Sequence, residues 1–468
     1  MKTAKTALLA LAALALTHQA NSQTTAAKDT TKIADQTPFD NMDLTWINGN
    51  DRRDSSIFHI PYFSPEIFVD ANATYSFANP IDHTVVGSTA LARDNEMEIS
   101  QLGFGGDFNY KGARARFITQ FGTRDEVVPR NDYSPYRGQY DLADAYRYIS
   151  EAYAGYHFNV WHGINVDGGL FMSYIGLNSY YQVENWDYQA SYTSDNTPWF
   201  FNGIRTQIFP SNNVKVELWI INGWQSYATF NDMPGFGGVF EWHPTENIKF
   251  ISNNYLIGSD AAGDYGRHRF HTDDSFLLRY FHRPKSSKGI VQMAFSWTGD
   301  LGEETGDGVN GFHGDSIHGP AQFFVSSMLY NRIWFAHGKL AWMFGGGFMN
   351  NPGRYLVLEP TGQASDLPNP YNPTSGANSL PNGAGIFTQN PGDQFHAWDC
   401  STNIAWMPNQ SFEFKLEYVY RHASVPYFAG PGGVTSPSGY TTTPIPAGWT
   451  PDLITHENRI ILAFLVRF

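Results

Sequence analysis

The sequence predicts an all-β fold, a transmembrane antiparallel β-barrel of about 16 strands with short periplasmic turns and long extracellular loops. Three observations support this prediction. Segments of about ten to thirteen residues with alternating polarity recur from Glu66 onward, which is the length that a tilted membrane strand needs. Short and long connections alternate between these segments. The last stretch, 457–468, is an apolar strand, whereas a soluble chain usually ends on polar, frayed residues.

The residues ahead of the predicted barrel divide into two parts. Residues 1–22 have the layout of a secretory signal, with two lysines, an apolar run at 7–16 and a small-x-small cleavage pattern at 20–22. The apolar run is far shorter than the roughly 20 residues that a membrane-spanning helix needs. Residues 23–60 are expected to form a periplasmic lead-in that either reaches into the barrel mouth or stays disordered. Residues 61–468 are expected to form the outer-membrane barrel.

Composition and charge narrow the partners of the chain. Of its 468 residues, 16% are charged, 16% are aromatic and 44 are glycine, a mixture that suits strands and turns. Removal of the signal takes away two lysines and no acids, so the formal charge moves from −14 to −16. That charge argues against a nucleic-acid partner. Cys400 is the sole cysteine, so no intramolecular disulfide can form, and its thiol is expected to be inert because no activating cation lies near it in sequence.

Sixteen strands are predicted from the polarity pattern. In chain order they are 66–78, 98–110, 113–124, 149–160, 164–176, 199–209, 213–224, 236–243, 248–259, 274–283, 289–299, 321–335, 339–350, 395–407, 411–423 and 456–468. The strongest is 411–423, where aromatic and aliphatic residues take every second position and mostly charged residues take the positions between. A soluble sandwich or propeller also alternates, but its strands are typically about 5–6 residues long, and it gives no reason for long and short connections to alternate.

The connections predict the topology of the sheet. Seven short turns alternate with eight long loops, the longest being 351–394. Bacterial outer-membrane barrels have an even number of strands, short periplasmic turns and long outer loops, so this alternation places both termini in the periplasm. Energy-coupled receptors are disfavoured, because they use 22 strands and a plug domain larger than this lead-in.

Two turns also predict cross-strand pairs. If Lys111 and Gly112 form a two-residue hairpin turn, Asp107 lies opposite Arg116 and Asn109 lies opposite Arg114. Across the turn that follows Phe209, an odd loop places Arg205 opposite Glu217. Such charge pairs are common along the walls of water-filled pores and stabilise the sheet by about 0.2–1 kcal/mol each.

Function is expected on the inward faces, because a barrel of this size leaves an aqueous channel. The charged residues predicted to line the pore are Asp107, Arg114, Arg116, Glu151, Asp167, Arg205, Lys215, Glu217, Glu241, Arg279, Glu413, Lys415, Glu417, Arg421 and Arg459. Lys249 and Arg467 share the inward face. The two signs are nearly balanced, so the sequence predicts no strong ion selectivity.

Three short motifs carry a resemblance to a known family. They are Ile220-Ile221-Asn222-Gly223-Trp224 at the outer end of a strand, 64–70 at the first strand and 253–258 in the ninth. From about Asp43 to Phe468 the chain resembles the β-barrel porins of the OmpL-like group. The resemblance implies an outer-membrane pore for passive diffusion of small hydrophilic solutes, with no catalytic residue. We expect no cofactor, and we expect outer-membrane lipid and lipopolysaccharide as partners; a homotrimer is one option for the assembly.

The third long loop, 177–198, is the candidate constriction. Its aromatic residues are Tyr180, Tyr181, Trp186, Tyr188 and Tyr192. In general porins the third loop folds inward, and here it would offer aromatic faces to a sugar or another amphipathic solute. The alternative is an outer loop that packs on its neighbours. The loop 351–394 is a rival plug.

Short motifs leave two alternative functions open. Gly314-Asp315-Ser316-Ile317 resembles the nucleophile block of one esterase family, with Asp393 and His396 as partners, so an outer-membrane esterase using Ser316 is an alternative. A barrel that serves as an adhesive or structural anchor is another. The segment 267–274 and the acids around 300–315 match no defined metal site, and no metal is expected.

Overall fold

The computed structural model describes residues 37–468, except for 54, 59, 130–133, 135–137, 230–232, 259–265, 267, 285–288, 307–308, 314–322, 352–394, 441, 443–445 and 447–448. The signal segment 1–22 and Ser316 lie outside these residues. So does the rival plug, except for Asn351. Among the helices of the described part, none has the length and apolar character to cross a membrane.

Sixteen long strands form the sheet in the described part of the chain. They are β1 (Phe63–Ser76), β2 (Met97–Tyr110), β3 (Ala113–Thr119), β4 (Ile149–Phe158), β5 (Ile164–Met172), β6 (Phe200–Ser211), β7 (Val214–Ile221), β8 (Gly235–Thr245), β9 (Ile248–Ile257), β10 (His268–His282), β11 (Ile290–Gly306), β12 (Phe323–Phe335), β13 (Leu340–Asn351), β14 (Phe395–Trp406), β15 (Phe412–Ala423) and β16 (His456–Arg467). The same part of the chain has three further strands of two residues each, at 309–310, 428–429 and 453–454.

The sheet closes on itself. Each strand pairs antiparallel with its neighbours in the chain, and β1 also pairs with β16, with Val69 opposite Val466. Closure gives every long strand a hydrogen-bonded neighbour on both sides, which a bilayer demands because it offers no water to an exposed edge. The predicted antiparallel barrel of 16 strands is therefore confirmed.

The two ends of the barrel differ. The short connections, such as 111–112, 212–213 and 246–247, lie at one end, which we name the turn end. The long connections lie at the other, the loop end. Their described residues include three short helices, α1 (Arg124–Val127), α2 (Leu142–Tyr146) and α3 (Tyr192–Asp195), and the 3₁₀ turns Gln182–Glu184 and Gly311–His313.

Most strand bounds agree with the sequence pattern, and the largest differences lie at the loop end. β10 begins six residues before the predicted 274, and β11 ends seven residues after the predicted 299. Polar residues that were expected in outer loops are therefore paired in the sheet. The ion pair between Arg269 and Glu304, at 2.5 Å and almost fully buried, replaces the water that these charges would otherwise need. β3 ends early, at Thr119, because the chain then turns into α1.

The outer and inner faces have opposite chemistry. Along β15 and β16, Leu416 and Phe464 point outward and are 46% and 37% exposed. Lys415 and Arg459 point inward and are 0% and 1% exposed. An apolar outer face and a polar inner face are the reverse of a soluble core, and they suit a sheet whose outside contacts lipid.

One predicted register is confirmed and one is wrong. Asp107 lies opposite Arg116, and their carboxylate and guanidinium are 2.8 Å apart. Arg205, however, lies opposite Trp219 rather than Glu217. The register shifts between Ile208 and Ser211, and the true turn is 212–213. The bulge falls at Pro210, which has no backbone N–H to donate to the ladder.

Candidate functional site: the barrel lumen

The connection between β5 and β6, residues 173–199, occupies the lumen, and we name it the inner loop. All five aromatic residues proposed for the constriction belong to it, and none is more than 5% exposed. The Tyr181 hydroxyl donates to Glu151 of β4 (2.8 Å), and the Trp186 carbonyl accepts from Asn403 of β14 (2.8 Å). Because these strands lie on different sides of the barrel, the loop must cross its interior.

Lys415 is the central anchor of the inner loop. Its ammonium group donates to three main-chain carbonyls of the loop, those of Gln182 (3.1 Å), Asn185 (2.6 Å) and Asp187 (3.0 Å). An ammonium carries three protons, so each has an acceptor. The side chain is fully buried, and it therefore holds the loop rather than water or solute.

Two neighbours of Lys415 bind the next part of the loop. The Glu417 carboxylate accepts from the backbone N–H of Tyr188 (2.7 Å) and of Gln189 (2.8 Å). Arg459 of β16 donates to the side-chain oxygen of Gln189 at 2.9 Å. These inward charges were predicted to line the pore, but they form hydrogen bonds with the main chain and side chains of the loop instead.

Arg421 and Asp399 fix the far end of the loop. The Arg421 guanidinium donates to the Ala190 carbonyl and pairs with Asp195 at 2.8 Å. Asp399 accepts from the backbone N–H of Tyr192 at 2.9 Å. We name the inward face of β14, β15 and β16, with Asp399, Lys415, Glu417, Arg421 and Arg459, the sealed wall.

The inward face of β3 to β7 is different, and we name it the open wall. Arg114 and Arg205 both pair with Asp167, at 3.3 Å and 2.9 Å. The two guanidinium side chains are 20% and 13% exposed, whereas Asp167 is fully buried. Lys215, 21% exposed, pairs with Glu241 of the next strand at 2.8 Å. On this wall the cations keep contact with solvent while these acids do not.

The remaining predicted charges also lie in ion-pair clusters. Arg116 contacts Glu151 (2.7 Å), Asp107 (2.8 Å) and Glu66 (3.2 Å). Glu217 lies 3.4 Å from the Lys215 ammonium. Each carboxylate thus faces at least one cation, as its partial or complete removal from water requires.

Residues 39–53 of the lead-in cross the turn end of the barrel, and we name them the strap. Arg279 of β10 pairs with Asp43 of the strap and, at 3.0 Å, with Glu246 of the β8–β9 turn. Glu413 accepts from Arg332 at 3.0 Å and lies 3.8 Å from Arg52 of the strap. Arg279 and Glu413, both predicted to line the pore, therefore contact the strap.

Sequence reasoning missed Arg124, which is 1% exposed in α1. Its guanidinium lies over the rings of Tyr180 (4.1 Å) and Trp199 (5.0 Å) of the inner loop, as a cation–π contact. Burial raises the pKa of Tyr180 to about 12, although the Arg124 charge opposes the shift. The sequence placed residue 124 at the end of a strand, so nothing pointed to this contact.

Other contributing residues could have been found from the alternation pattern. Asp70, Asp399 and Asn403 all take inward positions of predicted strands, and all are buried. Asn48, whose side-chain oxygen accepts from the backbone N–H of Trp186 (2.8 Å), lies in the lead-in, where no periodicity marks it.

The described part of the chain bears on the metal hypothesis but not on the esterase hypothesis. It holds no group of three or more His, Cys, Asp or Glu side chains placed to bind a metal ion. Ser316, the nucleophile of the esterase hypothesis, lies outside the described residues, as do Asp315 and Asp393.

Comparisons with solved structures find outer-membrane barrels. OmpT of Vibrio cholerae in its trimer form is 7% identical, with 87% of this chain and 99% of that chain covered and a TM-score of 0.46. The anion-selective porin from Comamonas acidovorans is 9% identical, with 87% and 99% covered and a TM-score of 0.47. OprD from Pseudomonas aeruginosa is 9% identical, with 90% and 97% covered and a TM-score of 0.37. Similarities this distant say nothing about solute or assembly.

Comparison with protein families is more specific. No curated protein matches the chain significantly. The model of the family described as "Putative beta-barrel porin-2, OmpL-like" matches residues 66–321, more than half of the chain. The match covers most of β1, all of β2 to β11 and the inner loop, and it agrees with the closed barrel and its polar interior. The chain therefore belongs to the OmpL-like β-barrel porins and is a porin of the bacterial outer membrane.

Proposed function

We propose that solutes pass this porin along the open wall, with the inner loop as the constriction. One contrast carries the proposal: Arg114 and Lys215 keep about a fifth of their side-chain surface exposed, whereas Lys415 and Arg459 keep almost none. A hydrophilic solute needs polar groups that can exchange hydrogen bonds with it, and of these two walls the open wall is the one that offers them. The fifteen charged positions thus include some that meet solute, some that hold the loop or the strap, and buried acids such as Asp167 and Glu241 that pair with the exposed cations.

The five inner-loop aromatics act as packing residues in this proposal. Tyr188 donates to Asp70 and Tyr181 to Glu151, so their polar ends are engaged as well as their rings. We infer that they set the width of the passage by fixing the loop, rather than by offering free aromatic faces to a sugar.

Planar-bilayer recording tests the constriction. Replacement of 178–196 by a short Gly-Ser linker removes most of the inner loop and should raise the single-channel conductance several-fold. A matched deletion within 352–394, the rival plug, should leave it near the wild-type value. The reverse result would assign the constriction to that other loop. Absence of channel steps from folded wild-type protein and from the linker variant would contradict passive diffusion itself.

We further propose that the turn end faces the periplasm and that the outward apolar residues contact membrane lipid and lipopolysaccharide. Short turns on the periplasmic side are the rule for bacterial barrels. Protease added to intact cells should then cleave the loop end and spare the strap. The homotrimer stays a prediction that none of these observations tests.

We propose no catalytic role for the chain. The support is its membership of a porin family, together with the use of the inward charges in ion pairs and loop contacts. Steady ester hydrolysis by the purified barrel, lost in Ser316→Ala, would contradict this proposal.

A further inference from the structure

The strap spans the full width of the barrel at the turn end. On one side, the backbone N–H of Phe39 donates to the Asn212 carbonyl in the β6–β7 turn at 3.0 Å. On the other, the Arg52 guanidinium donates to the carbonyls of Asn409 (2.7 Å) and Phe412 (2.6 Å) at the β14–β15 turn. In a closed sheet of sixteen strands these two turns are eight strands apart in either direction, so they lie opposite each other.

Between its two ends the strap lies directly against the inner loop. The Trp186 ring nitrogen donates to the Trp46 carbonyl at 3.1 Å, and the Gly49 backbone N–H donates to the Glu184 carbonyl at 3.2 Å. Trp46 and Ile47 are 2% and 1% exposed. The strap and the inner loop are therefore in contact, with no solvent layer at these residues.

The strap is also held by ion pairs in which the carboxylates are exposed to solvent and the arginine is not. Arg279 is fully buried, whereas its two partners, Asp43 and Glu246, have side chains 38% and 39% exposed. Burial raises the pKa of Asp43, but hydrogen bonds from Thr45 and Arg279 outweigh it and hold the pKa below its usual range. The Asp43 carboxylate is thus ionised at neutral pH, and both acidic partners of Arg279 are accessible to screening by salt.

We propose that the strap is an intramolecular plug, bound across the turn end and obstructing the passage until it is displaced. Its seat is made of the rim turns, the inner loop and inward wall residues such as Arg279 and Leu277 of β10, and its occupant is this chain's own residues 39–53. The proposal rests on the passive-diffusion function argued above and adds to it a restraint on flow.

One glycine allows the seat to be broken without changing the wall. Gly49 has φ of +80°, and a Cβ built on it would lie 2.1 Å from the carbonyl oxygen of Leu177 in the inner loop. A side chain at this position is therefore incompatible with the seated strap. Gly338, in the β12–β13 turn at the same end, has φ of +78°, and a Cβ added there would have nothing within 4 Å. Gly49→Val and Gly338→Val thus share the backbone strain and differ in the clash.

The test compares these variants in the full chain, folded in detergent and then inserted into planar bilayers. Gly49→Val should raise the single-channel conductance at least twofold and should make the bonds after Arg52 and Arg53 sensitive to trypsin. Gly338→Val should match wild type in both measurements. Current through Gly49→Val alone, with wild type silent, would also support a plug.

Several outcomes would overturn the plug. If trypsin cuts the strap of Gly49→Val and the conductance stays at the wild-type value, the strap does not obstruct the passage. Resistance of that variant to trypsin, with unchanged conductance, would show that the seat is not as described. If folded wild type and folded Gly49→Val are both silent, the passive-diffusion function fails and the plug falls with it.

A second variant covers the case in which Gly49→Val does not fold. Asp43→Asn combined with Glu246→Gln removes both charges that pair with Arg279 and leaves every glycine in place. It should raise the conductance at low salt, and the difference from wild type should shrink as salt screens the wild-type pairs. Equal conductance at every salt concentration would contradict the proposal.

Discussion

The two sides of the lumen carry similar charges and use them in different ways. On the sealed wall, Lys415 and Glu417 bind main-chain groups of the inner loop and are excluded from water. On the open wall, Arg114 and Lys215 pair with acids of neighbouring strands and remain partly exposed. Both walls alternate in polarity and carry charges of both signs, so the difference lies in what covers each wall. An inward charge in this barrel is therefore not by itself a group that meets solute.

The inner loop explains why the sealed wall needs charges of both signs. Much of the loop outside its short helical turns has no strand partner, so its buried N–H and carbonyl groups require other hydrogen bonds. Lys415 supplies donors to carbonyls, and Glu417 supplies acceptors to N–H groups. The wall acts as a substitute for the missing strand.

The largest expected effect is a difference in the free energy of unfolding between a lysine substitution on the sealed wall and one on the open wall. Lys415→Met leaves three buried carbonyls without their donor and should lower the free energy of unfolding by about 3–5 kcal/mol. Lys215→Met, the matched change on the open wall, should cost about 1 kcal/mol or less, because Glu241 keeps Lys249 at 3.4 Å. Urea unfolding in micelles, followed by tryptophan fluorescence, measures both. Equal losses would remove the distinction between the walls.

The outward faces should not share this distinction. Leu416, on the sealed side, and Leu218, on the open side, are both exposed on the outer face near the middle of their strands. Arginine at either position should cost about 2–4 kcal/mol near the bilayer midplane. The same unfolding assay in lipid vesicles checks it, with Leu416→Phe and Leu218→Phe as controls of small effect. A large difference between the two arginine variants would show that the walls differ outside as well as inside.

The free energy of unfolding should depend on pH because of a buried acid of the inner loop, Asp187, which lies beside the sealed wall. Burial, with the nearby Glu417 carboxylate, raises the pKa of Asp187 to about 8. The folded protein therefore keeps the proton that the unfolded chain has lost, and stability falls as pH rises from about 4 to 8 and is flat above. One proton gives a slope of the unfolding free energy of at most about 1.4 kcal/mol per pH unit. Asp187→Asn should remove this contribution to the slope.

Unfolding titrations at several pH values measure this slope. Asp144→Asn, a change at an exposed position on α2, serves as the control and should keep the wild-type profile. A profile of Asp187→Asn parallel to wild type from pH 4 to 8 would contradict the assignment.

The smallest effect on stability should bring the clearest effect on permeation. Arg114→Gln leaves Asp167 paired with Arg205 at 2.9 Å, so the free energy of unfolding should change by less than about 1 kcal/mol. The loss of an exposed positive charge should nevertheless move the reversal potential in a KCl gradient toward cation preference. Arg93→Gln, in an exposed ion pair with Glu96, is the control. An equal shift in both variants would mean that the open wall does not contact the permeating ions.

The strands were predictable because alternation is a local signal. In 411–423 a period of two over thirteen residues leaves no other interpretation, and the structure pairs 412–423 in the sheet. The Asp107–Arg116 pair followed from a two-residue turn, whose geometry fixes the register. Arg205 was placed wrongly because a bulge at Pro210 has no mark in the polarity pattern.

The lumen was less predictable, because contacts across it join residues that are distant in sequence. The aromatic content of 177–198 suggested an inward loop but did not show that Lys415 would hold it. The strap carries no periodicity, and Asn48 and Gly49 matter only through the loop that they meet. The pattern defines which side chains point inward, and it does not define what else enters the barrel.

The anchoring of the inner loop by the last strands also limits the order of assembly. Lys415 is 233 residues from Gln182, and Arg459 is 270 residues from Gln189. The loop thus has no binding partner on this side until the carboxy-terminal strands are in place, and contacts of such long range form slowly. Refolding should show a late phase in which Trp186 becomes buried after the sheet has closed, and Lys415→Met should abolish that phase without delaying closure.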